Sequence, residues 1–236
     1  MPYFLAPEIT KDQPGLWSEG NPYASQVIYD ICSGDESTPP VHYEGHTLKP
    51  HSICHFDAPG HITSGAGGID TLYKLRPEIF YGPAFVVVLE NPRFTPHTSA
   101  PGVKHWRVSL EELETAITKA KTSRPIEKLI LSFKGITKDF YKDSTHAFTL
   151  SLDAAQFLKS NSGFNLLATP WKSVDFEPGS RERPIHKLLL PTCGILECLN
   201  LEGVPPGEYF LSAAPLPLQG ATESPVSPVL FRRDEL

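Results

Sequence analysis

Three of the nine histidines in this 236-residue chain fall within one eleven-residue stretch, HSICHFDAPGH (51–61), with an aspartate among them. Imidazole nitrogen and carboxylate oxygen are donors that divalent cations such as zinc accept at about 2.0–2.2 Å. His51, His55, Asp57 and His61 are all odd-numbered, so a straight strand would point them to one face. At about 3.3 Å per residue, that strand would leave His51 and His55 about 13 Å apart, too far for one ion. A helix would bring these two together but swing Asp57 off their stripe. Ala58-Pro59-Gly60 also forbids a continuing helix. Convergence requires a chain that bends, and Pro59-Gly60 supplies turn chemistry between Asp57 and His61. Gly65, Gly67 and Gly68 follow, where backbone can pass close to a ligand. On spacing alone two readings stand, a bent metal-binding loop and a solvated polar strand.

A second polar pair lies far along the chain. His186 and Glu197 bracket LLLPTCGIL, an apolar segment expected to be buried. The pair either completes a metal sphere or marks the exposed ends of that segment.

The elements that must hold these groups read as α/β. Strands are expected at SQVIYDI (25–31), AFVVVLE (84–90), KLILSF (128–133), FNLLATP (164–170) and EYFLSAAPLPL (208–218). VVVL and LIL are continuous apolar runs, as in strands covered on both faces. Ser109-Leu-Glu-Glu112 forms a capping box ahead of LEELETAITKA, and Ser151 caps LDAAQFLKS. Helices set between buried strands predict a mixed sheet in a single compact domain over 1–236. The first third has almost no helical pattern and is expected to add a β-rich portion. Twenty-four scattered prolines fit many turns rather than a linker.

Composition narrows the function. A net charge of −6 argues against nucleic acid or an anionic membrane surface as partner. No apolar run approaches the length of a membrane span, and the N-terminus does not read as a signal peptide. Cys32, Cys54, Cys193 and Cys198 lie apart without a CxxC, so reduced thiols in a cytoplasmic protein are expected. The terminal RDEL resembles an endoplasmic-reticulum retrieval signal, without a visible entry signal beside it.

Together the motifs resemble the cyclase family of metal-dependent hydrolases, the kynurenine formamidase and isatin hydrolase type. Its signature HxGTHxDxPxH is met by His51, His55, Asp57, Pro59 and His61. YGPAFVVVLE, LLATPWKSVDF and the block from Ile185 to Val226 are similar to further family segments. The resemblance implies a swivelling β/β/α fold and a homodimer or higher homo-oligomer. It implies His51, His55 and Asp57 on a first ion. His61, His186 and Glu197 would join Asp57 on a second, or His61 would transfer protons where only one ion is held. Zinc is the expected ion, with manganese the alternative. The implied reaction is hydrolysis of a small amide, an arylformamide or a cyclic amide, by an activated water. Trp17, Phe56, Tyr81 and Trp171 are the aromatic candidates for substrate contact.

The chain departs from the family in three places. Ile53-Cys54 replace Gly-Thr; isoleucine resists positive φ, and Cys54 is either a soft ligand or a small buried thiol. Thr222 stands where the family has an aspartate, with Glu223 beside it. Ala168-Thr169-Pro170 replaces Asp-Thr-Pro. These departures keep a second expectation open: a catalytically diverged relative acting as a metal-binding or partner protein.

Overall fold

The computed structural model describes residues 1–31, 40–120, 124–176 and 182–232. Cys32 and the RDEL tail lie outside the described residues. Along the chain run β1 (Tyr3–Phe4), β2 (Tyr23–Tyr29), β3 (Tyr43–Leu48), β4 (His55–Asp57), α1 (Ile69–Leu75), β5 (Tyr81–Leu89), β6 (Thr95–Pro96) and β7 (Lys104–Val108). There follow α2 (Leu110–Ala120), β8 (Lys128–Phe133), β9 (His146–Leu150), α3 (Leu152–Ser160), β10 (Leu166–Ala168) and α4 (Pro184–Leu189). The last strands are β11 (Gly194–Glu197), β12 (Gly207–Ser212), β13 (Glu223–Pro225) and β14 (Val229–Arg232).

A mixed sheet in the order β1-β14-β12-β5-β8-β10-β11-β4-β13 organises the molecule. Its centre, β5-β8-β10-β11, is parallel, and antiparallel strands extend it on both sides. The parallel centre explains the unbroken apolar runs: all six residues of β8 are buried. One of them is charged, Lys128, whose Nζ donates to Asn165 Oδ1 at 2.9 Å. The helices α2, α3 and α4 pack on one another, with α2 on β5 and α4 on β11. β6, β7 and β9 form a separate three-stranded sheet, and β2 and β3 a two-stranded ribbon. Phe133 joins the three-stranded sheet to the core, edge-on to Trp106 at 5.8 Å and 4.9 Å from Phe148.

The helix caps form as their residue types require. Glu112 N donates to Ser109 Oγ and Ser109 N to Glu112 Oε2, the reciprocal pair of a capping box. Ser151 Oγ accepts from Ala154 N. Other elements differ from expectation. β12 ends at Ser212 because Pro215 and Pro217 cannot donate to a ladder. The strand expected at 25–31 sits two residues earlier, and 164–170 shrinks to three residues. The first third carries α1 beside its strands. Among the described residues, no helix is long and apolar enough to cross a membrane.

Candidate metal centre

The motif bends twice, not once. Pro50 opens a 3₁₀ turn, Pro50–Ser52, that folds His51 back until its Nδ1 lies 3.2 Å from His55 Nε2. The chain then runs straight through β4 and bends again in a second turn, Pro59–His61, which returns His61 toward the same point. The rings of His51 and His61 are 4.8 Å apart. The turn expected at Pro59-Gly60 is therefore present, and the one at Pro50 supplies the other half of the convergence.

Between the turns, sheet register does the positioning. Residues directly opposite across an antiparallel pair face the same side. β11 sets Glu197 opposite His55, and β13 sets Glu223 opposite Asp57. His55 Nε2 lies 3.6 Å from Asp57 Oδ1 and 3.5 Å from Glu197 Oε2. His186 arrives from α4, with Nε2 3.7 Å from Asp57 Oδ2 and 3.5 Å from Glu197 Oε1. His186 and Glu197 thus do not mark exposed ends: both are buried and face the cluster.

Two overlapping sets of converging donors result, His51-Asp57-His61 and His55-Asp57-Glu197, with Asp57 common to both. Both Asp57 carboxylate oxygens are buried and accept no hydrogen bond. The nearest imidazole nitrogens stand off beyond hydrogen-bond range, at separations close to the ~3.4 Å between neighbouring tetrahedral ligands of one ion. A buried carboxylate without partners is costly unless something binds it. The residues present fit a divalent cation.

Around this centre the polar groups are oriented. His55 Nδ1 lies 2.8 Å from the Ile53 carbonyl and His186 Nδ1 2.6 Å from Asp175 Oδ2, leaving both Nε2 atoms aimed inward. Asp175 also accepts from the backbone N–H of Ile185 and His186, which fixes the start of α4. Glu197 Oε1 accepts from Val174 N at 2.7 Å. Burial pushes the Asp57 carboxyl up, but His55, His186 and His61 outweigh it and hold the pKa well below the usual range. Burial lowers His186, yet Asp175, Asp57 and Glu197 raise it to about 9. His55 is likewise raised against its burial, chiefly by Asp57. Without a cation, imidazolium charge takes its place.

Several expectations change here. Phe56 is fully buried and points away from the centre, since it alternates with His55 and Asp57 along β4. Its ring lies on Gly194, where an added Cβ would come within 2.1 Å of Cζ; Phe56 is core, not substrate contact. Trp171 is buried against Phe176, and Tyr81 is half exposed at the start of β5; neither lines the cavity beside the centre. Trp17 does line it. Ile53 is extended at φ −133°, so this backbone never needed glycine. Cys54 belongs to the hydrophobic core and to neither donor set.

Sequence reasoning misses three groups. Glu223 reads only as a neighbour of the absent aspartate, yet its Oε2 lies 3.7 Å from His61 Nδ1 and its Oε1 3.9 Å from His51 Nε2. Its register against Asp57 is the signal, visible only once β13 is paired. Asp175 carries no mark of its own because its partner His186 is eleven residues away. Cys198, in a left-handed conformation at φ 62°, places its thiol beside His55.

This fold and donor cluster match a known type. The cyclase family's sequence profile covers residues 5–175, and the chain belongs to that family. A kynurenine formamidase of Geobacillus thermodenitrificans is 32% identical over 187 residues, 78% of this chain and 77% of its own length. One from Polaromonas naphthalenivorans is 31% identical over 211 residues, 88% of this chain and 81% of that protein. Isatin hydrolase A from Ralstonia solanacearum superposes with a TM-score of 0.73 at 21% identity, over 98% of this chain and 92% of that one.

Proposed function

We propose that the protein is a metal-dependent hydrolase of a small amide, an arylformamide or a cyclic amide. The observation that carries the reading is Asp57, fully buried, without a hydrogen bond, and common to both donor sets. Its kinship with kynurenine formamidases supplies the substrate class. His51, His55, Asp57, His61, His186 and Glu197 would hold one or two ions, zinc or manganese by donor type. A bound divalent cation supplies Lewis acidity, acidifying water and stabilising charge on a carbonyl oxygen.

The chain's own residues do the rest. Asp175 holds His186 in one orientation through its hydrogen bond with Nδ1. His61 is about a quarter exposed and borders a cavity of about 370 Å³, which also touches His51, His186 and Glu197. Where one ion is held, His61 takes the proton of the attacking water and returns it to the leaving nitrogen. Glu223 stands behind that imidazole to balance its charge. The cavity is sized for a small aromatic amide.

Elemental analysis with turnover of arylformamides and cyclic amides, before and after chelation, tests this. Expected are one or two equivalents of metal per chain and hydrolysis abolished with the metal and restored by zinc or manganese. Bound metal with no hydrolysis across the panel would leave a diverged binding protein instead.

A further inference from the structure

The turn that carries His51 has weak bonds of its own. Ser52 N donates to the Lys49 carbonyl at 3.3 Å and Ile53 N to the Pro50 carbonyl at 3.0 Å, and β4 starts only at His55. Hydrogen bonds in a 3₁₀ turn have poorer geometry than those of a longer helix, so its placement depends on what it leans on. The N-terminal segment supplies that support. Trp17 Nε1 donates to the His51 carbonyl at 3.1 Å, Gln13 Nε2 to the Ser52 carbonyl at 2.6 Å, and Leu16 N to Ser52 Oγ at 2.7 Å. Ser52 Oγ donates in turn to Glu19, whose other carboxylate oxygen accepts from Trp17 N at 2.8 Å.

Gln13 stands apart in this set. Among the described residues between Leu5 and Pro22 it alone is buried, 3% exposed, in a stretch without helix or strand. Trp17 is 40% exposed, so water competes for its bond, whereas the Gln13 bond is shielded. A buried amide is costly unless both its ends are bonded. Here both are, because Gln13 Oε1 accepts from the Tyr141 hydroxyl at 3.3 Å. The Ser52 carbonyl can only accept, which fixes the amide with its NH2 toward Ser52 and its oxygen toward Tyr141. Tyr141 is itself buried, in the short turn Phe140–Lys142, and its neighbour Phe140 packs edge-on against Phe133 at 4.9 Å. A buried chain of bonds thus runs from the aromatic core through Tyr141 and Gln13 to the residue next to His51.

We propose that Gln13, anchored by Tyr141, is the positioning residue for His51. His51 shares a donor set with Asp57 and His61, so Gln13 acts on that set and not on the strand-held His55 and Glu197. The proposal rests on the metal-centre part of the functional reading and names what aims its first histidine.

Gln13→Met keeps length and bulk but cannot donate to Ser52. Cobalt(II) titrated into the chelated and dialysed protein, followed by its visible absorption, reports both affinity and ligand geometry. The variant should bind cobalt about tenfold more weakly, the low end for outer-sphere support of a ligand, and with shifted visible bands. Tyr141→Phe, which loosens Gln13 without touching the turn, should weaken binding about threefold and serves if Gln13→Met does not fold. Ile130→Val, a trimmed core residue in β8, should leave affinity and bands as in the wild type. In the metal-free protein, the Ser52 and Ile53 amides of Gln13→Met should exchange with solvent about tenfold faster, with β11 unchanged. Wild-type affinity and bands in both variants, or changes that Ile130→Val reproduces, overturn the proposal. If the wild type itself takes up no cobalt, the metal-centre reading falls and amide exchange decides. Faster exchange confined to the turn then keeps Gln13 as its anchor, and unchanged exchange overturns it.

Discussion

The two halves of the metal centre are built differently. His55, Asp57 and Glu197 sit on paired strands, with His186 on a helix packed behind them, and all four are buried. His51 and His61 sit on 3₁₀ turns and line the cavity, and both they and Glu223 are partly exposed. Strand register fixes the first set to within the precision of a ladder hydrogen bond. The second set depends on two prolines and on the N-terminal segment, where Gln13 Nε2 donates to the Ser52 carbonyl and Leu16 N to Ser52 Oγ. The buried half is suited to holding charge in place, and the exposed half to exchanging protons and meeting substrate.

The largest effect comes from Asp57, the buried residue common to both donor sets. Asp57→Asn keeps the shape but removes the charge that His55 and His186 surround. Metal content by elemental analysis should fall to near zero. In chelator, urea denaturation should show a drop of about 3–5 kcal/mol, the cost of leaving buried charge without its partner. A variant that still holds stoichiometric metal would break the comparison at its centre.

The pH dependence of the metal-free protein sharpens the same contrast. The folded pKa of His186, about 9, lies above the unfolded value near 6.5. The stability it contributes is therefore full below pH 6.5 and lost as pH rises toward 9, about 3 kcal/mol in all. His55, also raised, adds with the same sign. Bound cation reverses the trend, because protons compete with metal for the same nitrogens. Denaturation midpoints at pH 6 and pH 9, with and without chelator, should diverge accordingly. A chelated protein equally stable at both values would show that the buried half does not carry the charge assigned to it.

What the sequence revealed follows the same line. The converging donors within HSICHFDAPGH were legible as candidates because their spacing is local, and the capped helices α2 and α3 because their signals are local too. The match to the cyclase family is borne out, as is the α/β fold. Glu223 and Asp175 were not legible, because their partners are fixed by strand pairing and by packing of α4, both long-range. Phe56 misleads for a related reason: its spacing places it beside the ligands, but strand alternation turns it away from them. Ile53 looks like an obstacle only because a glycine in a motif suggests positive φ, and here the backbone is extended.

Glu223 gives the smallest and most discriminating effect. Its carboxyl is held down to about 2, first by the His61 imidazole 3.7 Å away, and by Thr222 and His51, with burial opposing. It stays ionised throughout the pH range of catalysis and stabilises positive charge on His61. Glu223→Gln removes that charge without touching the buried donors. Metal content should be unchanged, while kcat falls about tenfold, the low end for weakened proton transfer. Loss of metal in this variant would instead make Glu223 part of the ion's own support, and the exposed half would then bind as well as react.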